Sequence, residues 1–220
     1  MIDNITVFPY EPMSLTTGFN RITLGNPRLF FQFIRGLRSE QDNVILSLDN
    51  NPVSANHVML FLGDAATPPD LNSLLLKDVL AKLTESFADI ELMEIHDLYA
   101  NLHNQIQQKV WMEDLPLTLA STFDVKKIIS LYKPSIMLEE PASIFEEIRD
   151  IVELMGALHE QRTLVMLHIT QYCQIAQIKS LHQYLLDQEI QLLDIECTDQ
   201  HSGLEGIRDH YVDRDYVQFT

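Results

Sequence analysis

Residues 163–196 constrain the fold most, because they read as a strand, a helix and a second strand. Thr163 to Thr170 is a β-rich apolar run, Gln174 to Gln188 has apolar residues at helical spacing, and Ile190 to Glu196 is a second apolar run. Two strands joined by a crossover helix are the unit of a parallel sheet. The sequence therefore predicts an α/β fold built on a parallel sheet.

The loops that would bind phosphate in such a sheet lack the residues that phosphate binding requires. A phosphate-binding loop needs glycines, so that successive N–H groups can surround the phosphates, and a lysine for the outer ones. Residues 171–173 contain no glycine, and the turn Leu24-Gly25-Asn26-Pro27 has one glycine, no lysine and a proline that removes a donor. We therefore expect neither hydrolysis nor tight binding of ATP or GTP.

Residues 1–65 have the pattern of an α/β sheet. The strand "FNRITL" precedes the helix "NPRLFFQFIRGL", with Asn26 as its N-cap and Pro27 at its first position. Val44 to Leu48 is the next predicted strand, and "HVMLFLGD" fits either a strand or part of a helix.

The pattern changes to helical over residues 66–134 and then returns to α/β. No turn signal interrupts Asp70 to about Gln108, which predicts one or two long helices, and a further helix is expected from about Phe123 to Tyr132. After Pro134, Ser143 is the predicted N-cap of a helix, with Glu146 completing a capping box. We therefore predict an α/β head from residues 1–65 and 135–220, with a helical leg, residues 66–134, inserted in it.

The net charge of −17 limits the choice of partner. Such a charge repels phosphate over about one Debye length, roughly 8 Å at physiological salt. The acids are concentrated at the C-terminal end: residues 135–220 have 16 acids and 5 bases, residues 1–65 have 6 and 4, and residues 66–134 have 10 and 6. A local basic surface outside the C-terminal part is therefore compatible with this charge.

The sequence has no sign of membrane association. No apolar run approaches the roughly 18 residues that cross a bilayer, and the acidic start "MIDNITVFPYEP" is unlike a signal peptide. We expect a cytoplasmic protein without a membrane partner. Cys173 and Cys197 lie in apolar segments, which predicts two buried free thiols rather than a disulfide.

No residue pattern indicates catalysis or a metal site. His96 and His103 lie two helical turns apart, too far to bind one ion without further ligands. The aspartates of "DHYVDRD" could bind a hard cation, but we interpret them as a solvated turn before a final strand. Ser202 beside His201 lacks the strained strand-to-helix turn of a nucleophile. We therefore predict no catalytic residue, no metal site and no enzyme activity.

The bases of the helical segment are all lysines: Lys77, Lys82, Lys109, Lys126, Lys127 and Lys133. Lysine is a mobile point charge suited to phosphate contact without sequence readout, whereas arginine makes geometry-specific forks. A solvated helix face explains each lysine taken singly, so they form a binding surface only if folding or symmetry collects them. Our candidates for DNA binding are Lys109, Lys126, Lys127 and Lys133, with Arg28, Arg35 and Arg38 of the first helix in reserve.

The order and spacing of several segments match a known family. These segments are "YEPMSL", "NPRLFFQFIRGL", "DNVILSLD", "SIFEEIRDIVELMGAL", "RTLVMLHI" and "VDRDYVQF". Over nearly its whole length the chain resembles, in its shorter form, the double-stranded-DNA-end-binding adaptation protein of type II-A CRISPR–Cas systems.

The resemblance implies a head related to P-loop NTPases without a working nucleotide site, and a helical leg. It also implies a homotetrameric ring that threads linear double-stranded DNA from its ends during spacer acquisition. The implied partners are the other adaptation proteins of the system, its integrase complex and its RNA-guided nuclease. In such a ring, lysines from four subunits line one channel while the acidic exterior faces water.

Calcium is the point at which the sequence departs from that family. Members of this length use an acidic cluster near the end of the leg to hold calcium ions, and the matching stretch here is "EDLPLTLASTFDVKKI". Only Glu113, Asp114 and Asp124 are acidic there, and Lys127 falls near a position where the family has a carboxylate. A hard cation needs several oxygen ligands, so we expect no cofactor and a lysine in place of the ion.

Two other functions lead to different expectations. A catalytically inactive NTPase-fold scaffold that binds only protein partners is the alternative, and it predicts a tetramer without affinity for linear duplex. A nuclease would need a carboxylate cluster with metal, and the sequence offers none with suitable spacing.

Overall fold

The computed structural model describes residues 1–39 and 44–219 and divides into two compact units. The first unit contains Met1–Asp70 and Leu138–Thr220, and the second contains Leu71–Met137. The first is a mixed α/β unit, and the regular elements described in the second are helices.

A mainly parallel sheet forms the centre of the first unit. Among the described residues it has six strands in the order β10-β9-β3-β8-β7-β6, and β10 alone runs antiparallel to its neighbour. The strands are β3 (Gly18–Leu24), β6 (Met59–Asp64), β7 (Thr163–Leu167), β8 (Gln191–Glu196), β9 (Arg208–Val212) and β10 (Gln218–Phe219). The strand–helix–strand prediction for residues 163–196 is confirmed, because β7 and β8 are parallel neighbours joined through helix α8 (Ile175–Asp187).

A smaller antiparallel sheet lies beside the parallel one and shares its core. Its strands, in the order β2-β1-β4-β5, are β1 (Asn4–Val7), β2 (Met13–Ser14), β4 (Val44–Leu48) and β5 (Asn51–Val53). The backbone N–H of Ile2 donates to the side chains of Gln191 at 3.0 Å and Thr163 at 3.1 Å. These buried hydrogen bonds tie the start of the chain to β7 and β8.

Helix α1 (Pro27–Ser39) packs into that shared core through one face. Leu29, Phe33 and Leu37 are buried with residues of both sheets in one hydrophobic cluster. The predicted N-cap is confirmed, because the Asn26 side chain accepts a hydrogen bond from the Arg28 backbone N–H at 2.9 Å. The cap and the buried face together fix which residues of α1 point outward.

Helices α6 (Ile144–Leu158) and α8 complete the first unit and pack against each other. Ser143 caps α6 as predicted, because its hydroxyl accepts from the Glu146 N–H at 3.3 Å. The second half of the capping box is displaced by one residue, since the Glu146 carboxylate accepts from the N–H of Ala142 at 2.9 Å rather than from Ser143.

The second unit contains helices α3 (Leu71–Ser86), α4 (Asp89–Met112) and α5 (Val125–Leu131). Two long helices therefore fill the stretch where the periodicity predicts one or two. Helix α5 is shorter than the predicted Phe123 to Tyr132, because Asp124 has an extended φ of −147° and caps the N–H groups of Lys126 and Lys127 with its side chain.

Several expectations near the end of β7 and at the cysteines are corrected by the structure. The strand predicted to reach Thr170 ends at Leu167, His168 adopts a left-handed φ of 63°, and a one-turn helix α7 (Ile169–Tyr172) follows. The ambiguous segment "HVMLFLGD" divides between helix α2 (Ala55–Val58) and β6. Both cysteines are free, as expected, but Cys197 is only half-buried whereas Cys173 is buried.

Gly18 begins β3 with φ +94° and permits a close approach by α8. A Cβ atom at this position would lie 2.7 Å from His182 Cε1, whose ring nitrogen Nδ1 accepts the N–H of Phe19 at 3.0 Å. We expect Gly18→Ala to destabilise the fold by about 1–3 kcal/mol, because both the left-handed backbone and the contact with His182 oppose a side chain.

Urea denaturation measures this difference, and Gly203→Ala is the matched control. Gly203 has open space around its Cα. Its substitution should change the free energy of unfolding by no more than about 0.5 kcal/mol. Equal effects at the two positions would contradict the account of Gly18.

Candidate nucleic-acid interface

The carboxyl ends of the parallel strands are where a nucleotide binds in sheets of this kind. In this chain the turn after β3 is closed by hydrogen bonds within the protein. Gly25 donates its N–H to Val212 O at 2.7 Å, and the Asn26 side chain donates to Arg214 O at 3.2 Å. A Cβ on Gly25 would lie 2.8 Å from Arg214 N, so the β9–β10 turn packs directly on this loop. The backbone N–H groups of Gly25 and Arg28 therefore have partners within the protein, and Pro27 has no N–H to donate.

Two carboxylates at the end of β8 hold helix α7 over the neighbouring part of this edge. Asp194 accepts the N–H of Ile169 at 3.0 Å, and Glu196 accepts the N–H of Thr170 at 2.9 Å. Glu196 also accepts from the Thr170 hydroxyl and, at 3.2 Å, from the Gln171 side chain. These contacts explain why β7 ends early, and they place negative groups where a nucleotide fold binds an anion.

Asp194 is fully buried, and its surroundings disfavour the charged form of its carboxyl. Its pKa is raised well above the ordinary aspartate value, first by burial and then by the negative charge of Glu196. Its Oδ2 atom has no donor among the described residues. A proton on Oδ2 provides a hydrogen-bond donor that Glu196 can accept, which is consistent with a neutral Asp194.

Two histidines of the first unit take part in structural contacts. His168 Nδ1 lies 2.8 Å from Asp64 Oδ2 and its ring stacks on Phe30; the hydrogen bond from His168 is the main cause of the lowered pKa of Asp64. His201 stacks on Tyr211, with ring centroids 4.5 Å apart.

The part of the chain that the structure describes has no group of three or more His, Cys, Asp or Glu side chains placed to hold a metal ion. Of the three acids in the stretch matching the family's calcium site, Glu113 pairs with Lys109 and Asp124 caps α5. Asp114 is exposed with a φ of 49°. The residues present do not form a set of ligands that fits calcium.

The arginines of α1 lie together on its exposed face. Arg28, Arg35 and Arg38 are exposed, and Phe31 lies among them with 62% of its surface accessible. The guanidinium of Arg38 stacks over the ring of Phe61 at 5.5 Å. The sequence of α1 contains no acidic residue, so this face is a basic surface in an acidic chain.

The candidate lysines belong to the second unit and are also exposed. Lys126 and Lys127 are neighbours in the first turn of α5, and Lys133 follows that helix with φ 49°. Lys109 forms an ion pair with Glu113, and Lys127 Nζ lies 4.0 Å from Asp124 Oδ2. The structure therefore brings together the three arginines within one unit and Lys126 with Lys127 within the other.

Sequence reasoning missed the aromatic part of the α1 surface. Phe31 follows the helical spacing of the arginines, so a helical projection of α1 could have placed it on their face. Phe8 comes from the turn after β1 and lines the same cavity as Arg28 and Arg35. No local pattern predicts that contact, because the residues are separated by about 20 positions or more in the chain.

A family model described as CRISPR-associated protein (Cas_Csn2) matches residues 38–216. The chain belongs to the Csn2 family. Members of this family are the adaptation proteins of type II-A CRISPR systems, which gives this chain a role in CRISPR adaptation. The curated proteins include no match to the chain.

The Csn2 match leaves residues 1–37 outside it, and with them β3 and most of α1. Arg38 is the first matched residue, so the contribution of Arg28 and Arg35 has to be argued from their geometry. No helix of the described residues is long and apolar enough to cross a membrane.

The raised pKa of Asp194 gives a prediction for the pH dependence of stability. A carboxyl whose pKa is raised by folding stabilises the fold fully only below the unfolded value of about 3.9 and loses that contribution as pH rises toward the folded value. Asp194→Asn removes this titration and preserves the acceptor for Ile169 N–H. We expect the variant to gain stability relative to the parent as pH rises from about 4 to 8.

Urea midpoints of parent and variant across that pH range test the prediction. Asp187→Asn, at an exposed aspartate at the end of α8, is the control and should give a difference that is nearly constant with pH. A penalty for Asp194→Asn that grows with pH would mean that Asp194 is ionised in the folded protein.

Proposed function

We propose that this Csn2-family chain is a ring-forming, sequence-independent binder of linear double-stranded DNA that acts in spacer acquisition. The observation that carries the DNA-binding part is the separation of charge in the first unit. Helix α1 presents three arginines and no acid, although the chain has a net charge of −17. Exposed basic surfaces of this kind bind phosphate and lose affinity as salt increases.

The candidate DNA contacts fall into two sets. Lys109, Lys126, Lys127 and Lys133 form the first set, and Arg28, Arg35 and Arg38 form the second. The ion pairs of Lys109 with Glu113 and of Lys127 with Asp124 lower the charge that these two lysines offer to a phosphate. The α1 set lies on a helix whose own residues include no acid, so its three arginines share one positively charged face.

A head related to P-loop NTPases is part of the proposal, and the strand order supports it. β3 lies between β8 and β9, so the order reverses at the first strand of the parallel sheet, as it does where doubly wound sheets bind nucleotides. Because Gly25, Asn26 and Asp194 already hold protein groups there, we propose that this edge no longer binds nucleotide. The chain then contributes DNA binding and assembly rather than catalysis.

Assembly into a homotetramer is proposed from the uncovered apolar surface of the second unit. Helix α4 has 24 residues, of which only Val110 is buried, and Leu98, Leu102 and Ile106 follow each other at helical spacing with 47–70% of their surfaces exposed. Leu98 and Leu102 also line an apolar cavity of about 580 Å³ between α4 and α5. An apolar stripe of this extent on a long helix is typical of a surface that another copy covers.

We propose that the ring assembles without calcium. The acids expected to bind the ion have other partners, Lys109 for Glu113 and the N-terminus of α5 for Asp124. The Nζ atom of Lys127 lies 4.0 Å from Asp124 Oδ2. Lys127 thereby places a positive charge beside this carboxylate, which fits the replacement of an ion by a lysine.

The apolar stripe of α4 gives a test of assembly. We expect Leu102→Glu to shift the tetramer toward smaller species, because a charge buried between copies without a partner is strongly unfavourable. Light scattering at micromolar concentration with a chelator measures the mass. Asn104→Glu, also exposed but on another side of α4, is the control that should remain tetrameric.

A parent protein that is monomeric with and without calcium would contradict the assembly proposal. A tetramer that Leu102→Glu leaves intact would place the contact between copies elsewhere on the chain.

The lysine set gives a test of the DNA contacts. We expect the double variant Lys126→Glu, Lys127→Glu to weaken binding of linear duplex for all sequences alike and to lower the salt slope by about one for each phosphate contact removed. Mobility shifts at about 0.15 M salt, the physiological ionic strength, measure both effects. The comparison is valid for a variant that remains tetrameric.

Arg28→Glu with Arg35→Glu is the parallel test of the α1 set, and Lys179→Glu is the control. Lys179 is half-exposed on α8, 3.9 Å from Glu205. If both double variants bind linear duplex as tightly as the parent does, neither candidate surface contacts the DNA. A tetramer without affinity for linear duplex would favour the protein-binding scaffold.

A further inference from the structure

An open cavity of about 740 Å³ lies between the exposed face of α1 and the turn that follows β1. Arg28, Phe31, Gln32 and Arg35 line it from the helix, and Phe8 lines it from the turn. All of these residues belong to the first unit, and α1 is fixed there by its buried face. The cavity therefore has one rigid wall of arginine, amide and aromatic side chains.

Both aromatic rings of this cavity are exposed. Phe8 has 87% of its surface accessible and Phe31 has 62%, although the same helix buries Phe33 to 1%. Two phenylalanines left in water forgo the stabilisation that their burial would provide. Exposed aromatic side chains that share one cavity are typical of a binding surface.

The chemistry of the lining indicates the class of ligand. Arg28 and Arg35 lie two turns apart on the same side of α1, and Gln32 lies between them. Guanidinium groups bind phosphate, the amide of glutamine can donate to and accept from a base edge, and aromatic rings stack on base faces. An acidic peptide would use the arginines and leave the two rings without a partner of matching shape.

Duplex DNA also leaves the rings unused along its length, because its bases are stacked and paired. Only unpaired nucleotides present a free base face together with a backbone phosphate. We propose that Phe8 and Phe31, with Arg28 and Arg35, bind unpaired nucleotides at the end of a DNA duplex. The cavity thereby gives a linear end with a short single-stranded overhang an advantage over a blunt end.

This inference rests on the proposed function and adds a preference among DNA ends to it. The arginines and the other phosphate contacts hold any linear duplex, whereas the rings of Phe8 and Phe31 act only on the nucleotides beyond the last base pair. The two contributions can be measured separately, because blunt duplex reports the first and an overhang reports the second.

Three probes of matched sequence test the inference with the full-length protein. They are a blunt duplex, the same duplex with a short thymidine overhang that contains one 2-aminopurine, and the overhang strand alone. Stacking is worth about 1–3 kcal/mol per base, so we expect the overhang duplex to bind about tenfold more tightly than the blunt one. The fluorescence of 2-aminopurine should decrease on binding, in the overhang and in the single strand.

The decisive variant is Phe8→Ala with Phe31→Ala, both exposed positions at which truncation removes little packing. It should lose the overhang advantage and the fluorescence change, and its affinity for blunt duplex should stay within about twofold of the parent. Phe219→Ala, at a half-exposed phenylalanine of β10 outside the cavity, is the control and should retain both signals.

Several results would overturn the inference. These are equal affinity for blunt and overhang duplex, an advantage that survives in the double variant, or a double variant with changed mass by light scattering, which would make this face a contact between copies. If blunt duplex does not bind but the single strand gives a fluorescence change that the double variant lacks, the proposed function fails and the inference stands.

Discussion

The burial of one face of α1 between two sheets is the constraint on which the rest of the first unit depends. Leu29, Phe33 and Leu37 occupy a core to which both the parallel and the antiparallel sheet contribute. Each such side chain stabilises the fold by roughly 1.5–3 kcal/mol, so the helix has one favourable orientation. In that orientation five side chains of α1 point outward together: Arg28, Phe31, Gln32, Arg35 and Arg38. A rotation of α1 would replace buried leucines by guanidinium groups. The basic surface is thus a consequence of core packing.

The protein's own groups occupy the edge of the parallel sheet at which doubly wound sheets bind nucleotides. The edge that would bind phosphate is filled by hydrogen bonds from Gly25 and Asn26 to the β9–β10 region, and by α7 held on Asp194 and Glu196. Burial raises the pKa of Asp194 and so favours its uncharged form, which limits the cost of two acids side by side. The sheet then serves as a rigid support, and the surfaces available for binding are those of α1 and the helical unit.

The elements that the sequence could predict are those set by local patterns. The apolar runs on either side of residues 174–188 gave the parallel pair β7–β8, the Asn26-Pro27 signal gave the start of α1, and the uninterrupted periodicity after Asp70 gave the long helices. One error arose where distant residues decide, and the other arose within the first turn of a helix. β7 ends at Leu167 because carboxylates of β8 attract the following N–H groups, and the capping box of α6 is displaced because Glu146 reaches Ala142.

The residues of the candidate site also separate into those that the sequence could identify and those that it could not. Charge and helical spacing identified the arginines and lysines from the sequence, but which of them lie on one surface depends on tertiary packing. The ion pairs of Lys109 with Glu113 and of Lys127 with Asp124 are local, at i,i+4 and i,i+3 spacing. The position of Phe8 beside α1, in contrast, follows from a contact that no single segment encodes. Csn2 membership, which rests on residues 38–216, adds the biological setting and leaves the α1 surface to physical argument.

The central claim is that the chain encircles linear DNA through its ends. The most direct measurement is a competition between linear and covalently closed duplex of the same length and sequence, in calcium and in chelator. The account predicts that linear duplex forms a stable complex in both conditions and that closed circles compete weakly, because a ring cannot thread a molecule without ends. Closed circles that compete as well as linear duplex would contradict threading, and a complex that forms only with calcium would contradict assembly without the ion.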